Sequence, residues 1–275
     1  MAMGFSPTQS RPGLSVQAEG ARRVTRALPE EVPVAFVFDG TTQAVMMATP
    51  DDIADFAHGF AVTEGIVTDP AQIEDFEIAE HAQGIEARFW LREDRQEALT
   101  ARRRYMAGPV GCGLCGIDSL EQAIRPVPRV TQTGPLFSQR DIARATDALG
   151  TCQPLHDLTR ATHAAGFIRP GAGLILARED VGRHNALDKL IGALWRAGID
   201  PSEGAIVMTS RLSVELVQKC AMAGCAILIA VSAPTAHALR LAETSGMTIA
   251  AFARGGGFDL YSHPHRIIDE VPDVA

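Results

Sequence analysis

The sequence predicts an α/β protein with a smaller α+β portion ahead of the main domain, on three observations. From Gly173 onward, short apolar runs rich in Ile, Leu, Val and Ala alternate with helix-length amphipathic segments. Before residue 125 the order is different: two hairpin-like strands, a helix, then more strands. Between them, Arg125 to Pro135 carries three prolines and little apolar content, which reads as a linker. The expected organisation is a mobile arm over residues 1–28, an α+β portion over 29–125, and an α/β domain over 135–275.

The arm lacks periodic hydrophobicity and carries scattered Arg22, Arg23 and Arg26, the pattern of a solvated segment. Val34 to Phe38 followed by Asp39-Gly40 reads as a strand and tight turn, with Ala44 to Ala48 as the hairpin partner. Thr49 then serves as helix cap with Pro50 at the first position, and Ile53, Phe56, Ala57, Phe60 and Ala61 form one apolar stripe ending at Gly65. Phe76 to Ile78 and Ile85 to Leu91 read as strands, Glu93 to Arg104 as a charged helix, and Asp118 to Ile124 as a short helix.

Beyond the linker, Ser138 to Leu149 is helical. The series continues with strand Leu174 to Ala177, helix His184 to Trp195, strand Ala205 to Met208, helix Ser213 to Ala223, strand Ala226 to Val231, helix Thr235 to Ser245 and strand Thr248 to Ala253. Strands separated by helices imply right-handed crossovers and a largely parallel sheet covered on both faces.

The chain has 275 residues, is 46% hydrophobic and carries a net charge of −8, so it can bury a substantial core and disfavours a nucleic-acid partner. The longest apolar stretch, around Ala223 to Val231, is far below the roughly 20 residues that span a bilayer. The first residues lack the apolar centre of a secretory signal, so a cytoplasmic protein is expected. Its cysteines, Cys112, Cys115, Cys152, Cys220 and Cys225, are odd in number and have no disulfide framework.

Cys112 and Cys115 lie in Gly111-Cys112-Gly113-Leu114-Cys115-Gly116, where glycines leave the sulfurs accessible. Their spacing suits zinc binding, dithiol exchange or nucleophilic sulfur chemistry. Structural zinc needs a second ligand pair, and Cys220 and Cys225 sit in apolar helix and strand context as core residues; no metal set is assigned. Dithiol exchange of the thioredoxin kind would place the pair after a strand, whereas a charged helix precedes it. Arg102 to Arg104 and the nearby helix start would favour the reactive thiolate.

Four strand ends carry ligand-type chemistry. Glu179 to Lys189 crowds Asp180, Arg183, His184 and Asn185 into a strand-to-helix turn; plain capping by Asp180 explains that segment equally well. Thr209-Ser210-Arg211-Leu212-Ser213 combines hydroxyls, a guanidinium and free backbone N–H groups, a phosphate cradle in which Ser210 and Arg211 are the contacts. Ser232-Ala233-Pro234-Thr235 supplies small residues. Phe252, Ala253, Arg254, Gly255, Gly256 and Gly257 offer a ring, a cation and exposed backbone to a nucleotide, with a loose glycine hairpin as the alternative. His263-Pro264-His265 reads as a surface turn.

Gly108 to Gly116, Glu179 to Lys189, Thr209-Ser210-Arg211 with Glu215 and Lys219, and Ser232 to Thr235 together resemble the formate dehydrogenase accessory sulfurtransferase family, over about residues 30–268. The resemblance implies a cytoplasmic homodimeric sulfur carrier whose main domain is a three-layer α/β/α sandwich like that of cytidine deaminases. It implies that sulfur passes from a cysteine desulfurase to the molybdenum bis-guanine-dinucleotide cofactor of formate dehydrogenase, bound as substrate, a guanine nucleotide being able to take its place. By position, Cys112 would hold the persulfide, Cys115 would assist, and Phe252 to Gly257 would contact the nucleotide. The deaminase zinc signature is missing, since His184-Asn185-Ala186 has no acid, so deamination is not expected. A molybdenum cofactor chaperone that moves no sulfur and a zinc-stabilised interaction protein are the alternatives.

Overall fold

The computed structural model describes residues 4–93, 95, 127–130 and 134–269. It opens with an antiparallel hairpin, β1 (Thr8–Gln17) and β2 (Gly20–Pro29), in register from Thr8 opposite Pro29 to Gln17 opposite Gly20. This corrects the reading of the first 28 residues as an arm without regular structure. Neither face of the hairpin is buried, Leu14 and Val16 being 64% and 71% exposed, so the sequence shows no apolar alternation for a period-2 reading to detect.

A four-stranded sheet follows, built from β3 (Val32–Phe38), β4 (Thr41–Ala48), β5 (Ile73–His81) and β6 (Gly84–Leu91) in the order β4-β3-β6-β5. Two hairpins meet along the parallel β3–β6 pair. Helix α1 (Ile53–Thr63) covers one face, with Phe36 stacked on Phe60 at 4.2 Å and edge-on to Phe56 at 4.9 Å. The helix starts at Ile53, with Asp52 at the cap in the left-handed region, not at Thr49. Thr49 is drawn instead into the α/β domain, as described below.

That domain is a six-stranded sheet of β8 (His163–Arg169), β9 (Gly173–Asp180), β10 (Ala205–Met208), β11 (Ile227–Ala230), β12 (Thr248–Arg254) and β13 (Gly257–Ser262), ordered β13-β12-β11-β10-β8-β9. A two-stranded pair, β7 (Phe137–Ser138) with β14 (Ile267–Ile268), ties the start of the domain to its end. Only β10, β11 and β12 run parallel; β8, β9 and β13 join antiparallel. The expectation of a largely parallel sheet is corrected for a local reason. The connections β8–β9 and β12–β13 are too short for a crossover helix and close as hairpins.

Helix α2 (Gln139–Gly150) crosses one face of the sheet, while α4 (Arg183–Arg196), α5 (Val214–Met222) and α6 (Ala236–Ser245) cover the other. The short α3 (Pro154–Thr159) receives β2 of the N-terminal hairpin. The result is a three-layer α/β/α sandwich on which α1 packs from outside against α4. The core is fully enclosed, from Ala205 to Met208 on β10 and Ile227 to Ala230 on β11 to Leu187 and Leu190 on α4.

Candidate functional site

Because β10, β11 and β12 are parallel, their carboxyl ends open on the same edge, and backbone hydrogen bonds carry the alignment past the strands. Val231 N donates to Met208 O (3.1 Å), Leu212 N to Ala233 O (3.1 Å), Thr235 N to Leu212 O (2.9 Å) and Phe252 N to Ser232 O (3.3 Å). The segments 209–213, 232–235 and 252–254 are thereby held side by side. Such strand ends are where ligands bind open α/β sheets.

Within this edge the proposed contacts differ in availability. Arg211 is exposed. Ser210 is 4% exposed and its hydroxyl donates to Arg211 O at 3.0 Å. Phe252 has φ +52°, at a register shift between Ala251 and Arg254 that turns its ring outward to 37% exposure. A bulky residue held in the left-handed region is strained, and such strain gathers at ligand sites. Arg254 and Gly255 to Gly257 are exposed, Gly255 and Gly256 making the β12–β13 turn at φ +59° and +80°. Ala253 is enclosed, and its carbonyl accepts from Thr146 Oγ1 on α2 at 2.8 Å. The structure thus gathers all these residues at one edge but displays only Arg211, Phe252, Arg254 and the glycines. Cys112 and Cys115 lie outside the described residues.

The Glu179 to Lys189 turn divides into buried and open parts. Asp180 and Lys189 are both fully enclosed and pair at 2.8 Å. Asp180 Oδ1 accepts from Gly182 N (2.8 Å) and Asn185 Nδ2 (2.9 Å), and Oδ2 from Thr49 N (3.0 Å). Lys189 Nζ donates to Thr49 O at 2.9 Å, Asn185 Nδ2 to Met47 O at 2.9 Å, and Val181 N to Thr49 Oγ1 at 3.2 Å. A buried ion pair with this many partners has its desolvation offset. Asn185 therefore aims at the N-terminal portion and not at the crevice. Glu179 is likewise occupied, accepting from Leu155 N and His156 N at the start of α3, each at 2.8 Å.

A second buried cluster joins the same two portions. Lys219 on α5 donates to Asp188 Oδ2 (2.9 Å) and Thr63 Oγ1 (3.0 Å), and Thr63 Oγ1 donates to Asp188 Oδ1 (2.8 Å). Burial pushes the Asp188 carboxyl up, and Lys219 opposes this. Sequence reasoning did not connect Thr49 or Thr63 to these charges, since partners more than a hundred residues apart leave no local signal.

His184 remains toward the crevice, with Nε2 at 3.4 Å from Ser213 Oγ and 3.8 Å from Glu215 Oε2. The imidazole beside it holds the Glu215 carboxyl down to about 2, against the effect of burial and with help from Ser213. Cys220 and Cys225 are fully buried core residues, as expected, and Cys152 is exposed. Among the described residues no group of three or more His, Cys, Asp or Glu side chains could hold a metal ion, and no helix is long and apolar enough to cross a membrane.

The chain is 52% identical over 243 residues to a protein of Agrobacterium fabrum named sulfur carrier protein FdhD, covering 88% of this chain and 90% of that one. It is 52% identical over 256 residues to a protein of the same name from Brucella abortus, covering 93% and 95%. A crystal structure described as that of a formate dehydrogenase accessory protein from Desulfotalea psychrophila shares the fold, with TM-score 0.75 at 22% identity over 96% of this chain and all of that one. The model of the FdhD/NarQ family matches residues 29–268, and the chain belongs to that family.

Proposed function

We propose that this protein is a sulfur carrier in formate dehydrogenase maturation, which accepts persulfide sulfur from a cysteine desulfurase on Cys112. It hands that sulfur to a molybdenum bis-guanine-dinucleotide cofactor held as substrate at the carboxyl edge of β10 to β12. The observation that carries the reading is the display of Arg211, Phe252, Arg254 and the Gly255–Gly257 turn on adjoining strand ends, in a chain whose relatives are named sulfur carriers. Phosphates suit the guanidinium groups, a base suits the Phe252 ring, and glycine lets backbone approach the ligand. Ser210 and Ala253 contribute by shaping that backbone. The reading also makes the protein a cytoplasmic homodimer that associates with formate dehydrogenase.

In the first step the Cys112 thiolate attacks the outer sulfur of the desulfurase persulfide. A new S–S bond forms, the old one breaks, and the desulfurase cysteine leaves as thiolate. In the second, the Cys115 thiolate attacks the Cys112 sulfur, expelling the outer sulfur as hydrosulfide to the cofactor. The two thiols end as a disulfide, supplying the two electrons that reduce the sulfur. Nucleotide contacts remote from the transferred atom position it.

Intact-protein mass spectrometry tests the reading, after the reduced protein is incubated with a cysteine desulfurase and cysteine. A gain of one sulfur that reductant reverses and Cys112→Ala abolishes is expected, with guanosine diphosphate binding kept in the variant. No gain with a competent desulfurase would overturn sulfur carriage and leave a cofactor chaperone.

A further inference from the structure

The same edge holds polar side chains that these contacts do not use. His184 on the first turn of α4 and Glu215 on the first turn of α5 meet from different helices, with side chains 18% and 19% exposed, so both border the crevice without lying open. Ser213 stands at the cap position of α5, yet its side chain caps nothing and its hydroxyl sits beside His184; Thr235, at the start of α6, does cap its helix. His184 Nδ1 has no hydrogen-bond partner among the described residues. One turn beyond Glu215 the Gln218 amide is 5% exposed, and among the described residues neither its Nε2 nor the enclosed Arg183 Nε has a hydrogen-bond partner. Enclosed polar atoms in folded proteins are nearly always hydrogen-bonded, so these two donors suit an acceptor at the helix junction.

Donors gather at this junction, Arg183, Gln218 and the exposed Arg211 beside His184, while Glu215 is already paired with His184. That balance suits an anionic oxygen. We propose that His184 is an anion contact of this edge, donating from its protonated imidazole to a phosphoryl oxygen of the bound nucleotide, with Glu215 as its positioning residue. The inference rests on reading the edge as a nucleotide site and adds a subsite to it. Glu215 stays ionised throughout the neutral range, so it offsets the imidazolium charge in a part-buried setting. Among the described residues, Arg183 on the same helix, His156 on α3 and Asp180 at the end of β9 share with His184 the electrostatic surroundings of His163 on β8. Asp180 is committed to Lys189, and burial, then the Arg183 charge, hold the His163 imidazole below its ordinary range.

The consequence is a proton taken up with the ligand. Calorimetric titration of guanosine diphosphate, and separately of inorganic pyrophosphate, into the full-length protein from pH 6 to 8.5 in buffers of different ionisation enthalpy measures it. Wild type is expected to take up protons and to bind more weakly as pH rises. His184→Gln is expected to bind about tenfold more weakly near pH 6.5 and to lose most of that uptake, beyond what the phosphates themselves contribute. His184→Lys is expected to restore affinity with no uptake, which a merely structural role would not produce. Uptake and affinity unchanged in His184→Gln would overturn the inference while leaving the nucleotide site standing. Pyrophosphate binding that depends on His184, with no advantage for guanosine diphosphate, would support the anion contact and count against the nucleotide reading. Binding of neither probe would overturn both.

Discussion

Gly59 on α1 and Gly192 on α4 face each other where the N-terminal portion meets the α/β domain, so closely that a Cβ on Gly59 would lie 1.7 Å from Asp188 O and one on Gly192 1.8 Å from Asp55 O. Backbone meets backbone there, and no side chain can yield to make room. Each single alanine substitution is therefore expected to destabilise the protein by about 3 kcal/mol or more, at the upper end of overpacking effects, through separation of the two helices. Denaturant unfolding measures it; a change under about 0.5 kcal/mol in both variants would contradict the crossing.

Asp188 and Lys219 provide a second test of the same junction. Asp188→Ala removes the fully buried carboxylate that Lys219 faces and leaves the ammonium with Thr63 and, at 3.4 Å, the part-exposed Glu64; a loss of about 3 kcal/mol is expected. The double variant Asp188→Leu with Lys219→Met removes both charges and is expected to be more stable than Asp188→Ala. Equal stabilities would show that packing, and not the buried charge, sets the cost.

His58 on α1 gives a pH signature. Its Nδ1 lies 2.7 Å from Ala54 O, its ring packs among Phe76, Phe89 and Trp195, and burial first holds the imidazole below its usual 6.5. With the folded value below the unfolded one, the contribution of His58 is complete above pH 6.5 and declines as pH falls through that range, where the unfolded chain binds the extra proton. Relative to wild type, His58→Phe is expected to lose less stability between pH 7 and 5, read from urea midpoints. Parallel pH profiles would show that His58 is not the titrating group.

Glu215 has the opposite chemistry and the same direction. Its carboxyl is held at about 2 from 4.5, so its contribution is present above pH 4.5 and is lost as pH falls toward 2. The stability difference between wild type and Glu215→Gln should shrink over that interval. A difference that stays constant would mean that the His184 pairing does not act through charge.

The described cysteines separate by accessibility. Burial raises the Cys220 thiol well above its ordinary value and the Cys225 thiol to about 11, and both are enclosed, whereas Cys152 is exposed. Iodoacetamide at pH 8 should label Cys152 in the native protein within minutes, and Cys220 and Cys225 only after denaturant is added, as peptide mass mapping would show. Rapid native labelling of Cys220 would contradict its place in the core.

What the sequence alone determined about this protein was local: strands β10 to β12 with the helices between them, the pairing of β3 and β4, the buried character of Cys220 and Cys225, and the clustering of Ser210, Arg211 and the Phe252 to Gly257 stretch at strand ends. Each follows from periodicity or turn chemistry within a dozen residues. Tertiary structure decided the rest. Strand β8 was not legible, because Ala164-Ala165-Gly166 is small and carries little strand preference until β9 and β10 flank it. Asn185 read as a ligand donor and Asp180 equally as a plain cap, because both lie in a strand-to-helix turn; Thr49 and Met47, supplied from 130 or more residues away, turn them inward. Gly59 and Gly192 look like flaws in helices until the crossing needs them. The physical reason is common to all: a residue's partner across a fold is chosen by packing, and packing has no period in the sequence.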